Sequence, residues 1–205
     1  MLRQSLVPDR PTDCGLIVGL PTSHEAFLDD AMNVEKSFVR AWAASRRGSS
    51  VEALWREYQA IMDYAATIGA EAAESGVAVV LGGAQASWPA LVTRRRVVTL
   101  IAHWVQRDGR SSVEFTDGLA TIGRLIAQIP AGFSGVLDLT TCPSAHAIAV
   151  LKHARPACTV LTNRDAAPLD VRLAMYRQIV RILGSEQTTY VEAAARVHHA
   201  ALEVV

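Results

Sequence analysis

The feature that most constrains this chain is its rhythm, in which short unbroken apolar runs alternate with long helical stretches. Cys14 to Leu20, Val77 to Leu81, Val97 to Ala102, Gly135 to Thr140 and Thr159 to Thr162 are the runs. Each is mostly continuous rather than alternating in polarity, as expected of strands covered on both faces. Between them, Ser23 is placed to cap a helix running to about Arg47, where Gly48-Ser49-Ser50 breaks it. A second helix is predicted from Val51 to Glu74, with Leu54, Tyr58, Ile61, Ala65 and Ile68 at helical spacing. Further helices are predicted over Thr121 to Ile129, Ser144 to His153, Leu169 to Leu183 and Thr188 to Leu202. Trp104-Val105 and Val113 to Phe115 flank Asp108-Gly109, a strong turn signal, and predict a hairpin. Strands alternating with helices imply an α/β fold, a mostly parallel, doubly wound sheet flanked by helices. At 205 residues the chain suits a single domain over 1–205.

Composition narrows the function classes. Twenty basic and 20 acidic residues balance to zero formal charge, so no basic face for nucleic acid or acidic membrane is expected. Arg94, Arg95 and Arg96, the only tight basic run, read as a solvated turn before a strand. No run approaches the roughly 18 apolar residues of a membrane span, and Met1 to Pro8 has no signal-peptide core. Cys14, Cys142 and Cys158 are an odd, widely spaced set without a C-x-x-C pair. Free thiols in a reducing cytoplasm fit that set, and the richness in Ala, Val and Arg fits a bacterial source. His24, His146, His153, His198 and His199 fall on predicted helices without ligand partners, so no metal and no cofactor is expected.

Chemistry is expected where strands end, because sites in open parallel sheets form outside the carboxyl ends of the strands. One strand delivers His103 there and another delivers Cys142. Pro143 favours a first helical position, which puts Cys142 near an N-cap, where the helix dipole favours the thiolate. A neighbouring imidazole can take the thiol proton and return it to a leaving amine. The bland alternatives are a buried apolar cysteine and a surface histidine. Cys14 and Cys158, within or at the start of strands, read as core. Gly82-Gly83 is the rival site, where backbone N–H groups would cradle a phosphate. The loop lacks G-x-G-x-x-G and the G-K-[ST] ending, which favours a plain loop.

At these residues the sequence resembles the caspase-like cysteine peptidases of the CHAT type. The matching segments are Val97 to His103, Val136 to Cys142 and Val113 to Leu119, whose Asp117-Gly118 precedes a helix as in that family. The resemblance covers about residues 95 to 185. The interval from position 103 to 142 is shorter than the roughly 50 residues of caspases. The resemblance implies a caspase-like fold, a His103–Cys142 catalytic dyad, and an oxyanion hole from the backbone N–H groups of Trp104 and Cys142. Trp104 stands where the family carries Gly, and its ring would shape or obstruct the cleft. Leu139-Thr140-Thr141 also departs from the residues that precede the Cys in other branches. Asp138 and Thr140 share strand parity with Cys142, and by analogy they would line a pocket for a basic scissile residue. The alternative is that Asp138 answers an arginine or a backbone group inside the fold.

The implied function is a cysteine endopeptidase cleaving a protein substrate, as a bacterial defence or regulated cell-death effector switched on by a separate activating or sensor protein. Two other classes stay open: a catalytically inactive caspase-like scaffold that binds a partner protein, and a nucleotide or small-molecule binder using Gly82-Gly83.

Overall fold

A computed structural model of the chain describes residues 7–44, 46, 49–107, 110–140, 145–163, 167–199 and 202–205. Among these residues the expected strands assemble into one sheet. They are β1 (Cys14–Val18), β2 (Ala78–Leu81), β3 (Val97–Ile101), β7 (Val136–Asp138) and β8 (Thr159–Asn163), closed at one edge by β9 (Leu202–Val204). Their order is β2-β1-β3-β7-β8-β9, parallel throughout except for the antiparallel β8–β9 pair. The chain steps from β1 outward to β2, then crosses back to β3 on the other side of β1. The order therefore reverses between β1 and β3, the position where open α/β sheets form crevices.

Side-chain parity sends alternate residues of each strand into two separate cores. Leu16, Val18, Val97, Ile101 and Leu161 pack under α1 (His24–Met32), α2 (Phe38–Ala44), α3 (Val51–Glu74), α7 (Leu169–Ser185) and α8 (Tyr190–His198). Ile17, Val98, Leu100, Leu137 and Val160 pack on the other face under α4 (Ser87–Val92), α5 (Ile122–Gln128) and α6 (Ala145–Ala154). Buried on both faces, these strands need the continuous apolar character that the sequence shows. Burial is worth about 1.5–3 kcal/mol for each fully covered aliphatic side chain.

A second sheet leaves the carboxyl end of β3. It consists of β4 (His103–Arg107), β5 (Arg110–Phe115) and β6 (Gly118–Thr121), antiparallel in that order. The predicted hairpin is present, with Arg107 opposite Arg110, while its turn at 108–109 lies outside the described residues. Val113 and Phe115 enter the second core, whereas Glu114, of opposite parity, faces α2.

Several elements differ from expectation. The helix predicted from Ser23 to about Arg47 starts as expected, with Ser23 Oγ accepting from the Ala26 N–H at 3.1 Å. It then breaks into α1 and α2, because Asn33 leaves the helix and its Oδ1 takes the Glu35 N–H. Buried carboxylates then take the first N–H groups of α2 (Val39 by Asp30, Ser37 and Phe38 by Glu114). α4 and β6 were not expected. The last helix stops at His198, where His199 turns to positive φ, and the chain returns as β9 instead of continuing to Leu202. Arg96 of the basic run pairs with buried Asp9 at 3.5 Å. No helix of the described residues is long and apolar enough to cross a membrane.

Candidate active site

The first candidate residue stands at the carboxyl end of β3. Val97 to Ile101 are all buried, and the chain passes through Ala102 directly into β4, whose first residue is His103. His103 thus sits where the two sheets meet, at the sheet's reversal point. Next to it, β1 runs out through Gly19 and Leu20, and the Gly19 N–H donates to Ile101 O at 2.9 Å. The fit at Gly19 is tight, since a Cβ there would lie 3.2 Å from Glu114 O and 3.3 Å from the Ala102 Cβ. This close approach lets the second sheet dock over the end of the first.

His103 is half-buried on the α1–α2 side. Its ring lies 5.9 Å from Phe38, and Phe38 continues through Tyr58 to Phe27 and Trp55. Tyr58 O–H donates to Pro21 O at 2.7 Å, which fixes the loop after β1 to α3. Burial pushes the His103 imidazole below its usual range, and the Asp30 carboxylate opposes that shift. A lowered imidazole is neutral near pH 7, the form that accepts a proton.

Three charged side chains are buried around this position: Asp30, Glu114 and Lys36. Asp30 Oδ1 accepts from the Val39 N–H at 3.0 Å. Glu114 Oε2 accepts from the Ser37 N–H at 2.9 Å, and Oε1 from the Phe38 N–H at 3.3 Å. Lys36 Nζ donates to Thr116 O at 2.7 Å and lies 3.7 Å from Asp29. Burial and then the hydrogen bond to Glu114 push the Asp30 carboxyl up to about 7, opposed by the Val39 N–H and the Lys36 ammonium. None of these residues was picked out from the sequence. The available signal was Glu114 itself, an acidic residue inside the apolar run Val113 to Phe115.

Trp104 has the opposite parity to His103. Its ring enters the second core and lines a narrow apolar crevice with Trp88, Leu100, Leu125, Leu139 and Leu151. Its indole Nε1 is buried without a hydrogen-bond partner among the described residues. The ring therefore lies on the far side of β4 from the imidazole.

β7 lies beside β3 in parallel, with Thr99 opposite Asp138. Cys142 lies outside the described residues. Asp138 and Thr140 are both buried, with 2% and 6% exposure. Asp138 Oδ2 accepts from Tyr190 O–H at 2.6 Å, and Oδ1 from the Thr140 N–H at 3.1 Å. Tyr190 O–H also lies 2.8 Å from Thr99 Oγ1. Both Asp138 oxygens are thus engaged inside the fold, beneath α8. Burial, and then the Asp138 charge, push the Tyr190 phenol well above its usual range.

The Gly82-Gly83 loop is tied down by the second sheet. Gly83 N–H donates to Val18 O at 2.9 Å, Thr116 Oγ1 donates to Gly82 O at 3.0 Å, and Asp117 Oδ1 accepts from the Gln85 N–H at 2.9 Å. The Gly83 N–H is thus already taken by a backbone carbonyl, and a phosphate arriving at this loop would meet the Asp117 carboxylate on the neighbouring Gln85 N–H. Gly82 has φ of +64°, and a Cβ there would meet Thr22 at 2.7 Å, so its glycine is explained by a turn and a close approach. Cys14 and Cys158 are buried strand-region thiols, and burial raises both above the usual thiol range. His198 is buried and His199 exposed, on different sides of their turn. Among the described residues, no group of three His, Cys, Asp or Glu side chains is placed to hold a metal ion.

Comparison with protein families and with curated protein sequences gives no match for this chain.

Proposed function

We propose that the chain is a caspase-like cysteine endopeptidase, with His103 as general base and Cys142 as nucleophile. One observation carries the proposal: β3 and β7 are adjacent and parallel, with Thr99 paired to Asp138. His103 follows Thr99 by four residues and Cys142 follows Asp138 by four. The two candidate residues thus lie at equal sequence offsets from one paired position of neighbouring parallel strands. Burial, which lowers the proton affinity of the His103 imidazole, keeps it neutral and able to accept a proton near neutrality, and this supports its role as a base.

The reaction needs no cofactor. The Cys142 thiol passes its proton to His103, and the thiolate attacks the scissile carbonyl. The imidazolium then protonates the leaving amine, and water hydrolyses the thioester and restores the thiol. Trp104 keeps its ring out of the His103 side of β4, which answers the obstruction that its size raised.

The test is the alkylation rate of Cys142 by iodoacetamide against pH, in wild type and His103→Ala, with the site read by mass spectrometry. A thiolate appearing well below the free-cysteine range of about 8.5, and returning to it in His103→Ala, is the expected result. An ordinary titration indifferent to His103 overturns the dyad.

A second reading, a non-catalytic partner-binding scaffold, is favoured by the exposed apolar residues Leu28 and Met32 of α1 and Val34 just beyond it, of which Met32 is 83% exposed. The substitution Cys142→Ala separates the two, since a scaffold keeps its biological effect and a peptidase loses it.

A further inference from the structure

We propose that Asp30 and Glu114 hold one proton between them and act together as the positioning pair of His103, presenting a single negative charge to its imidazole. The proposal rests on reading His103 as the base and adds two residues to that site.

Geometry carries it. His103 of β4 stands directly opposite Glu114 of β5, and directly opposed residues share a face at about 5 Å between their Cβ atoms. Asp30 reaches the same place from α1, where its Oδ1 takes the Val39 N–H beside the Phe38 N–H that Glu114 Oε1 takes. Three consecutive backbone N–H groups, from Ser37, Phe38 and Val39, are taken by these two side chains, which fixes both carboxyls. Phe38 belongs to that same run, and its ring packs against the imidazole. The N–H groups that hold the acids thus belong to the segment that also holds the histidine ring.

Two carboxyls buried on consecutive N–H groups of one turn cannot both ionise at low cost, so one proton stays with the pair. The raised range of Asp30 agrees with this. The groups facing the pair are Lys36 from the α1–α2 connection, Asp29 from α1, Tyr58 from α3 and His103 from β4. The Lys36 ammonium is also shared with Thr116 O and Asp29. The chemical consequence concerns the charged state of His103. Burial alone disfavours an imidazolium, which must form each time the thiol gives up its proton. A fixed negative charge beside the ring lowers that cost while leaving the resting imidazole neutral.

The test is an NMR titration of the full chain, following the side-chain carboxyl carbons of Asp30 and Glu114 and the ring nitrogens of His103. We expect one carboxyl of the wild-type pair to titrate near neutrality. In Asp30→Asn/Glu114→Gln the His103 protonation constant should fall about ten-fold, whereas each single substitution leaves one charge and moves it far less. Both carboxyls titrating below about pH 5 in wild type overturn the proposal. An unmoved His103 midpoint in a folded double variant overturns it equally. If the double variant does not fold, the wild-type carboxyl titration decides. These signals do not involve Cys142. A shifted His103 with a Cys142 alkylation rate indifferent to His103 therefore sinks the peptidase reading and leaves the pair standing.

Discussion

At the scale of single residues, the molecule places charge where its neighbours already hold donors. Asp138 is the clearest instance, since the Tyr190 hydroxyl and the Thr140 N–H take its two oxygens in a place with almost no solvent. Tyr190→Phe keeps the ring and removes the donor, leaving a buried carboxylate one bond short. We expect a loss of about 1–3 kcal/mol in urea unfolding, because an unmet buried polar group costs more than a bond gains. An unchanged midpoint would mean that this contact gives the carboxylate no net support. The sequence located Asp138 only in part. Strand parity put it on the same face as Thr140, but Tyr190 lies far along the chain on another helix, and no local pattern links the two. Asp30 and Glu114 were hidden for the same reason: one acid on a helix and one on a hairpin meet only once the second sheet docks.

At the scale of elements, β3 and β7 pair in a fixed parallel register, and Gly135 guards it. A Cβ at Gly135 would sit 1.9 Å from Arg96 O, a backbone atom that also accepts the Val136 N–H at 2.7 Å. Gly135 O in turn accepts from the Thr159 N–H at 2.9 Å, so the residue is held between β3 and β8. We expect Gly135→Ala to cost about 3 kcal/mol or more in thermal unfolding, as forced overpacking does. Gly132→Ala is the control, with nothing within 4 Å of its new methyl and an expected effect between zero and a slight gain. Comparable losses in both would place the effect in the loop rather than in the strand contact. Elements with a strong period or a continuous apolar run were legible, and α3 matches its expected bounds of Val51 and Glu74. The elements missed were those that tertiary contacts decide. β9 exists because β8 has an open edge to fill, and the break between α1 and α2 exists because Glu114 and Asp30 take the N–H groups there.

At the scale of the whole molecule, the buried acids and histidines tie stability to pH in opposite directions. Asp30 has a folded-state value raised to about 7, against about 3.9 in an unfolded chain. Between those values the folded state binds more protons at this site than the unfolded state does. Its contribution is therefore complete below about pH 4 and is lost as pH rises toward 7. His103 and His198 are shifted the other way by burial. Their contribution is present above the unfolded histidine range and is lost as pH falls through their lowered values. Asp30→Asn, which keeps an oxygen to accept the Val39 N–H, isolates the first effect. The wild type should lose about 2 to 4 kcal/mol relative to this variant between pH 4 and pH 7.5, with the change concentrated below pH 7. Urea unfolding of both proteins across that range measures the difference directly, and shifts common to both, that of His198 included, cancel in it. A difference that stays constant with pH would show that Asp30 ionises in the folded state as readily as in the unfolded chain. The buried acids would then lie outside the control of the sheet junction, and the fold would owe its pH dependence to the histidines and to surface groups.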